Sequence, residues 1–362
     1  MTVGRITHNN RIEYLDFMRV FSTFCVIVLH VAVQNWHNVE IGGYNWLIFT
    51  LYDSTTRWTV PVFLMISGAL LINRYMTIDV LYNTYIKKLL VVFIVWSTIY
   101  SLIYSHSFKE FIINFTHGHY HLWYLPLLIG LYMTLPILGS LNDSEFLIKY
   151  IIKIGSILSI IIPQILRFLQ DFGGEYIKQV AAGINETINK TGLFGLFGYA
   201  TYFILGYYLH NKQIEQKDRK IIYILGIIGF ISTFILTNIM SIRTNLPNES
   251  YFNNLTINVA LMSIAIFVWF KYNYKKLDIL SGIIPSISRK CLGVYLIHVL
   301  VIDRLFYMLG LNTMVFNTAI SVPIISISTM LLSLVLIKLY NLIIDKINDT
   351  KNNIIKLYNN YM

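Results

Sequence analysis

Long apolar runs separated by short polar segments dominate the chain. Each run approaches the roughly 20 residues that an α-helix needs to cross about 30 Å of hydrocarbon. The runs lie near residues 14–35, 57–73, 88–105, 122–141, 147–166, 193–210, 220–240, 255–271, 291–309 and 315–341. The pattern therefore predicts an all-α, polytopic integral membrane bundle of about ten transmembrane helices.

Lysine and arginine are unevenly distributed among the polar segments that join these runs. If the N-terminus is cytoplasmic, ten crossings place most of these residues on the cytoplasmic side, as the positive-inside rule requires. We therefore expect a multi-pass protein of the cell membrane with both termini in the cytoplasm. The first run follows Arg5 and Arg11 and lacks a small-residue cleavage site, so we expect a retained helix rather than a removed signal peptide.

One membrane unit is expected over residues 1–345, followed by a short cytoplasmic tail over 346–362. The segments 34–56 and 167–192 are expected on the outside, the latter as the longest loop, where both could cover an external opening. No internal repeat, low-complexity tract or extracytoplasmic catalytic domain is evident. The chemistry is therefore expected in the membrane unit or its loops.

Composition excludes several classes of protein. Hydrophobic residues make up 56% of the chain and charged residues 13%, about half the charged fraction of a soluble domain. This excludes a cytosolic enzyme and a disordered chain. The net charge of +10 follows from membrane topology, so it does not indicate a nucleic-acid partner. Cys25 and Cys291 lie in or beside apolar runs and are interpreted as packing residues.

The first predicted helix carries three ionisable side chains, Asp16, Arg19 and His30. Arg19 and His30 are eleven residues apart, a spacing that returns to within ~20° of one helix face while rising roughly 16 Å. Asp16 precedes Arg19 by one turn and shares that face. Ionisable groups within a bilayer are expensive, so each of the three is a candidate functional residue.

This arrangement suits a reaction whose two substrates arrive from opposite sides of the membrane. Arg19 could hold an anionic or polar donor at the inner mouth, because a guanidinium stays charged and offers several hydrogen-bond donors. His30 could take a proton from an attacking hydroxyl. The alternative interpretation is an interfacial ion pair of Asp16 with Arg19 and a packing role for His30.

Several segments in order resemble a known family. The Arg–x10–His pair of Arg19 and His30 follows YLDFMR, and further matches are RWTVPVFLMISGALL at 57–71, YIKKLL at 85–90, HLWYLPLLIGLYMTLPIL at 121–138 and CLGVYLIHVLV at 291–301. Together they resemble the membrane-bound acyltransferase-3 family over about residues 14–341. The resemblance implies transfer of an acyl group, usually acetyl, from cytoplasmic acyl-coenzyme A to a hydroxyl of a surface or lipid-linked glycan.

The resemblance also implies roles for individual residues. His30 matches the residue taken as catalytic in that family, and Arg19 the residue taken as needed for donor binding or site architecture. Many relatives carry an extra extracytoplasmic domain that completes the transfer. The segment for it is missing here, so we expect either direct acylation of the acceptor or completion by a separate extracytoplasmic transferase. Acetyl-coenzyme A is expected as a co-substrate, and no metal is expected.

The matched segments contribute further candidates for substrate or cofactor binding. Arg57 could stabilise an oxyanion or could be a snorkelling arginine, and Lys87 and Lys88 could meet coenzyme A phosphates or simply follow the positive-inside rule. Trp123 lies in the segment HLWYL and is a candidate contact. Tyr295 and His298 share a helix face, as a structural pair or as part of the site.

Two further features of the sequence have simpler explanations than a catalytic role. Asp303 and Arg304 are explained by a charge pair near the outer boundary. The tract HGHYH at 117–121 has alternating histidines but lacks a fourth zinc ligand nearby.

A rival function is a transporter or exporter of a glycan or small polar solute, in which the same buried charges line a path. The inverted repeats typical of a transporter are not evident.

Overall fold

The computed structural model describes residues 11–140, 144–190 and 197–360. These residues form helices joined by short connections, and none of the described residues lies in a β-strand. The predicted all-α fold is therefore confirmed. The N-terminal residues 1–10, the last part of the predicted tail (361–362), and the edges of two predicted crossings at 141 and 193–196 lie outside the described residues.

In chain order the helices are α1 (Glu13–Val33), α2 (Tyr44–Thr56), α3 (Thr59–Leu71), α4 (Ile78–Tyr104), α5 (Phe108–His117), α6 (Tyr124–Met133), α7 (Leu135–Gly139), α8 (Glu145–Phe172), α9 (Glu175–Lys190), α10 (Ala200–Asn211), α11 (Gln216–Thr244), α12 (Ile257–Asn273), α13 (Ile284–Ser288), α14 (Cys291–Leu300) and α15 (Thr318–Asn360). Short π-helical turns lie within α4 at Leu81–Ile86 and directly after α14 at Val301–Phe306.

Six of the described helical segments are long and apolar enough to cross a membrane. They contain α1, α4, α8, α11, α12 and α15. The remaining four predicted crossings coincide with shorter helices, namely α3, α6 with α7, α10, and α14 with its π turn. The prediction of a membrane protein is confirmed, and the count of ten crossings stays a prediction.

Two segments expected as outer coverings are largely helical. Within 34–56, helix α2 buries Trp46 and Phe49 completely and packs against α1 and α11. Within 167–192, the end of α8 and the whole of α9 replace the expected long loop, with a break at Gly173 and Gly174 between them. The prediction of a loop was wrong there because two glycines mark only a short helix break, and the residues after them form a helix.

Helix α1 occupies the centre of the bundle. It packs against α2, α3, α12, α13, α14 and α15, and residues on most of its circumference are buried, including Met18, Ile27 and Val31. A helix that is apolar all round is expected at such a position. Asp16, Arg19 and His30 of α1 therefore face other helices. We call its N-terminal end the Arg19 end of the bundle and its C-terminal end the His30 end.

Helices α3 and α10 pack unusually closely through two glycines. A Cβ atom added at Gly68 would lie 1.7 Å from the carbonyl oxygen of Phe203, and one added at Gly206 would lie 2.1 Å from that of Met65. Small residues allow helix backbones to approach each other in membrane proteins. This contact holds α3, which carries Ser67, against the rest of the bundle.

Candidate active site

A buried carboxylate organises the Arg19 end of α1. Asp16 is 7% exposed and accepts hydrogen bonds from Ser288 and Arg11. Nη1 of Arg19 lies 3.3 Å from Oδ1 of Asp16 and donates to Oγ of Ser288 at 3.0 Å. The structure therefore contains the Asp16–Arg19 ion pair, which the sequence offers as the alternative interpretation of these two residues. The Arg19 side chain remains 29% exposed, so one part of the guanidinium is held while another part is accessible.

A row of tyrosines leads from Arg19 into the bundle. Tyr124 and Tyr132 on α6 both lie near the Ser67 side chain, and both are within electrostatic range of Arg19. The ring of Tyr124 is 6.0 Å from that of Tyr295 on α14. We call Tyr132, Tyr124 and Tyr295 the tyrosine row. It links Arg19 to the residues around His30 through polar hydroxyls and aromatic rings.

Four histidines meet at the far end of this row. His30, His119, His121 and His298 form what we call the histidine cluster. The ring centroids of His30 and His298 are 5.2 Å apart, and those of His121 and His298 are 5.5 Å apart. Nδ1 of His119 lies 3.0 Å from Nδ1 of His121. The hydroxyl of Tyr295 donates to the carbonyl oxygen of His121, which joins the cluster to the tyrosine row.

The hydrogen bonds of His298 define its tautomer. Its Nδ1 lies 2.7 Å from the carbonyl oxygen of Tyr295 and 3.2 Å from that of Val294. A carbonyl only accepts, so Nδ1 carries the hydrogen and Nε2 of the neutral ring is an acceptor. His298 is completely buried, and this Nε2 has no hydrogen-bond partner among the described residues. An unpaired acceptor therefore lies in the ring next to His30.

The two histidines that precede α6 are held neutral. They lie between α5 and α6, outside the membrane-spanning helices. Burial lowers the pKa of His119 to about 4. Burial also lowers the pKa of His121, with a further contribution from the neighbouring histidines. Both rings are therefore uncharged at neutral pH, so they add polar nitrogen atoms to the cluster without adding positive charge.

His30 also faces a cavity of about 540 Å³ at its own end of the bundle, within the usual range of small-molecule sites. The ring of Tyr120 lies 5.4 Å from that of His30. The cavity walls are both aromatic and polar and are formed by His30, Val33, Gln34, Asn35, Tyr104, Tyr120, Ile302, Asp303, Tyr307, Leu311 and Asn312. His30 thus lines the cavity and also contacts His121 and His298 of the histidine cluster.

Arg57 lies between α2 and α3 and is paired rather than free. It forms a salt bridge with Asp53, which is completely buried, and its guanidinium carbon lies 4.1 Å from the centroid of the Phe252 ring. Arg57 is within electrostatic range of His30. Its charge is compensated by Asp53, and Nε of Arg57 has no hydrogen-bond partner among the described residues.

The remaining predicted contacts lie on α4, directly before α6, and on α14. Lys87 and Lys88 are exposed in the early part of α4. Trp123 is 42% exposed and its ring lies 5.7 Å from that of Tyr199 and 6.5 Å from that of Tyr124. Tyr295 and His298 are the two predicted contacts on α14, and both are close to His121.

Sequence reasoning missed the contribution of the HGHYH tract and of Asp303. The tract supplies His119, Tyr120 and His121 to the site, although its alternating histidines were interpreted only as a weak zinc signal. Across the described ranges, no group of three or more His, Cys, Asp or Glu side chains is arranged to hold a metal ion. The signal that could have identified the tract is its overlap with the matched segment HLWYLPLLIGLYMTLPIL, which begins at His121.

Comparison with known proteins shows which protein family this chain belongs to. The family model described as an acyltransferase domain, Acyl_transf_3, matches residues 12–338 and therefore covers all the helices that form the site. No match was found among curated proteins or among solved structures. With its apolar helices and buried polar site, the protein is a membrane acyltransferase. The chain belongs to the acyltransferase-3 family.

Proposed function

We propose that the protein transfers an acetyl or other short acyl group from cytoplasmic acyl-coenzyme A to a hydroxyl of an extracytoplasmic or lipid-linked carbohydrate. The observation that carries the proposal is the position of His30. This residue lines the cavity at one end of the bundle and is linked through the tyrosine row to Arg19 at the other end. Two substrates can therefore approach one base from opposite ends of α1.

The Arg19 end is proposed to bind the donor from the cytoplasm. Asp16 and Ser288 fix one edge of the Arg19 guanidinium, which leaves its other donors for an anionic group. In this role Asp16 is a positioning residue. Lys87 and Lys88 are exposed cations near the start of α4 and suit phosphate contacts. The positive-inside distribution of charge supports a cytoplasmic location for this end and for both termini.

The proposed chemistry is a direct acyl transfer. His30 removes the proton from the acceptor hydroxyl, whose oxygen attacks the thioester carbonyl. A C–O bond forms and the C–S bond breaks, and the proton held by His30 passes to the departing coenzyme A thiolate. The thioester is already activated, so positioning and oxyanion stabilisation contribute most of the remaining rate enhancement. The hydroxyl of Tyr120, whose ring lies beside that of His30 in the cavity, is a suitable oxyanion donor.

His298 is proposed to hold His30 in the productive tautomer. The free Nε2 of His298 can accept a hydrogen bond from an N–H of His30, because its own Nδ1–H is already bound to the backbone. The other ring nitrogen of His30 is then unprotonated and available to the acceptor hydroxyl. This is the role that a hydrogen-bonded partner plays for a catalytic histidine in hydrolases.

The experiment that tests the proposal measures acetyl-coenzyme A consumption by the purified protein in lipid nanodiscs, with methyl glucoside supplied as the acceptor. Release of free coenzyme A is followed for wild type, His30→Ala and His37→Ala. His37 is an exposed histidine at the same end of the bundle, where it pairs with Glu249. We expect release to fall about 10²- to 10⁴-fold in His30→Ala and to stay at the wild-type rate in His37→Ala. Unchanged release in His30→Ala would contradict the proposal.

A further inference from the structure

The cavity beside His30 has an uneven distribution of charge. Among the described residues that line it, Asp303 is the one carboxylate, and neither lysine nor arginine contributes to the wall. The nearby Arg57 is already paired with Asp53. A ligand that enters the cavity therefore meets one carboxylate and no cation in the wall, although Arg304 lies outside the wall within electrostatic range of Asp303.

Asp303 is not part of the charge pair that its sequence neighbour suggests. Arg304 instead donates to the carbonyl oxygen of Ile103, and its guanidinium carbon lies 4.2 Å from the centroid of the Tyr104 ring. The hydroxyl of Tyr104 lies 3.5 Å from Oδ2 of Asp303 and is the protein donor that contacts this carboxylate. No ion pair involves Asp303 within the described parts of the chain. Most of its acceptor capacity is therefore left for a ligand.

The backbone around Asp303 is also irregular. Residues Val301–Phe306 form a π-helical turn directly after α14, so that Ile302 and Asp303 both reach the cavity wall. Turns of this kind occur frequently at functional sites because they redirect side chains from a regular helix. The rest of the wall adds the amides of Gln34 and Asn312 and the ring of Tyr307. Hydroxyl groups can bond to the carboxylate and amides, while the rings cover apolar surfaces of the ligand.

We propose that Asp303 determines the charge class of the acceptor: the cavity takes an uncharged sugar or an amino sugar and rejects a sugar acid. This inference rests on the proposed function, since it names the class of carbohydrate that His30 deprotonates. A hydroxyl or ammonium group donates to Asp303 in a charge-assisted hydrogen bond. A sugar carboxylate would be placed beside Asp303 in a low-dielectric site, where repulsion between like charges is strong.

The test uses the full chain in lipid nanodiscs with labelled acetyl-coenzyme A and three soluble probes. These are methyl glucoside, methyl glucosaminide and methyl glucuronide, which differ mainly in charge. We expect transfer to the first two to exceed transfer to the glucuronide by about tenfold or more in the wild type. In Asp303→Asn, which keeps the shape and the contact with Tyr104, this ratio should fall to about threefold or less. Asp303→Glu should retain most of the wild-type ratio.

Glu249→Gln is the matched control. Glu249 is an exposed acid at the same end of the bundle, is paired with His37 and does not line the cavity, so its removal should leave the ratio unchanged. Two results would overturn the inference while leaving the proposed function intact. One is acetyl-coenzyme A consumption by the wild type that is equal with all three probes. The other is a ratio of transfer to the first two probes over the glucuronide that is unchanged in Asp303→Asn. Absence of acetyl-coenzyme A consumption in the wild type would instead overturn the proposed function.

Discussion

His30 and His298 lie with their ring centroids 5.2 Å apart, although they belong to the first helix and to the C-terminal quarter of the chain. Nδ1 of His298 is bound to the backbone of its own helix, and its Nε2 is buried without a partner. Burying an acceptor in this way is unfavourable unless a donor reaches it during the working cycle. This arrangement is the basis of the proposal that His298 supports His30.

Replacement of His298 should separate this role from simple packing. Gln can place an oxygen acceptor near the position of Nε2, whereas Leu fills the space without one. We expect kcat for acetyl-coenzyme A consumption to fall about ten- to hundredfold in His298→Leu and clearly less in His298→Gln, with little change in KM in either. Equal losses in both variants, accompanied by equal losses of thermal stability, would indicate that His298 only packs.

Replacement of Arg19 should weaken donor binding more than chemistry. The guanidinium is held by Asp16 and Ser288 but is still partly exposed. We expect Arg19→Ala to raise KM for acetyl-coenzyme A by about tenfold or more, with a smaller effect on kcat. Arg289→Ala is the matched control, because Arg289 follows Ser288 and is exposed. A KM that changes equally in both variants would show that only general surface charge is involved.

Because α3 and α10 are in close contact, adding one methyl group between them should lower the stability of the protein. A Cβ at Gly206 would clash with the backbone of Met65, whereas a Cβ at Gly130 meets nothing within 4 Å. Gly206→Ala should reduce the free energy of unfolding by about 1–3 kcal/mol through overpacking. Gly130→Ala should be neutral or stabilising by up to about 1 kcal/mol. Melting temperatures of the detergent-solubilised protein check this, and equal melting of both variants would contradict the packing described.

Stability should depend on pH through His119. Burial lowers its pKa from the ordinary value of 6.5 to about 4, so between these pH values the unfolded chain binds more protons than the folded protein. The contribution of neutral His119 is complete above pH 6.5 and is lost progressively as pH falls towards 4. We expect the melting temperature to fall over this interval, and to fall less in His119→Gln.

Replacement of the exposed His37 by Gln provides the control for this pH dependence. It should leave the fall in melting temperature between pH 6.5 and 4 as in the wild type. If the melting temperatures of His119→Gln and wild type fall by the same amount over this pH interval, the neutral state of His119 does not contribute to stability.

Helical periodicity was sufficient for the residues that α1 contributes. One-turn spacing placed Asp16 and Arg19 on one helix face, and the eleven-residue spacing placed His30 on nearly the same side. Ser288 and His298 could not be assigned as their neighbours from the sequence, because those contacts depend on how α13 and α14 pack against α1. Local spacing says nothing about which distant helix lies opposite.

Irregular segments were the least predictable part of the site. Asp303 and Arg304 are adjacent and oppositely charged, so an ion pair was the simplest expectation. The π turn at Val301–Phe306 instead directs Asp303 to the cavity and leaves Arg304 on Tyr104 and the Ile103 carbonyl. Composition does not reveal a π turn. The lengths of α3 and α10 were equally hard to predict. Both helices are short, and they are held by the close packing of their backbones at Gly68 and Gly206, which the apolar pattern does not show.

The most direct test of the central claim is mass spectrometry of surface glycans from cells fed isotopically labelled acetate. Cells make the wild type, His30→Ala or His37→Ala at equal protein abundance, or no protein. We expect a labelled acetyl ester with wild type and His37→Ala, and no such ester with His30→Ala or without the protein. Unchanged surface acetylation in all four, together with less of an exported glycan when the protein is absent, would contradict acyl transfer and support a transporter.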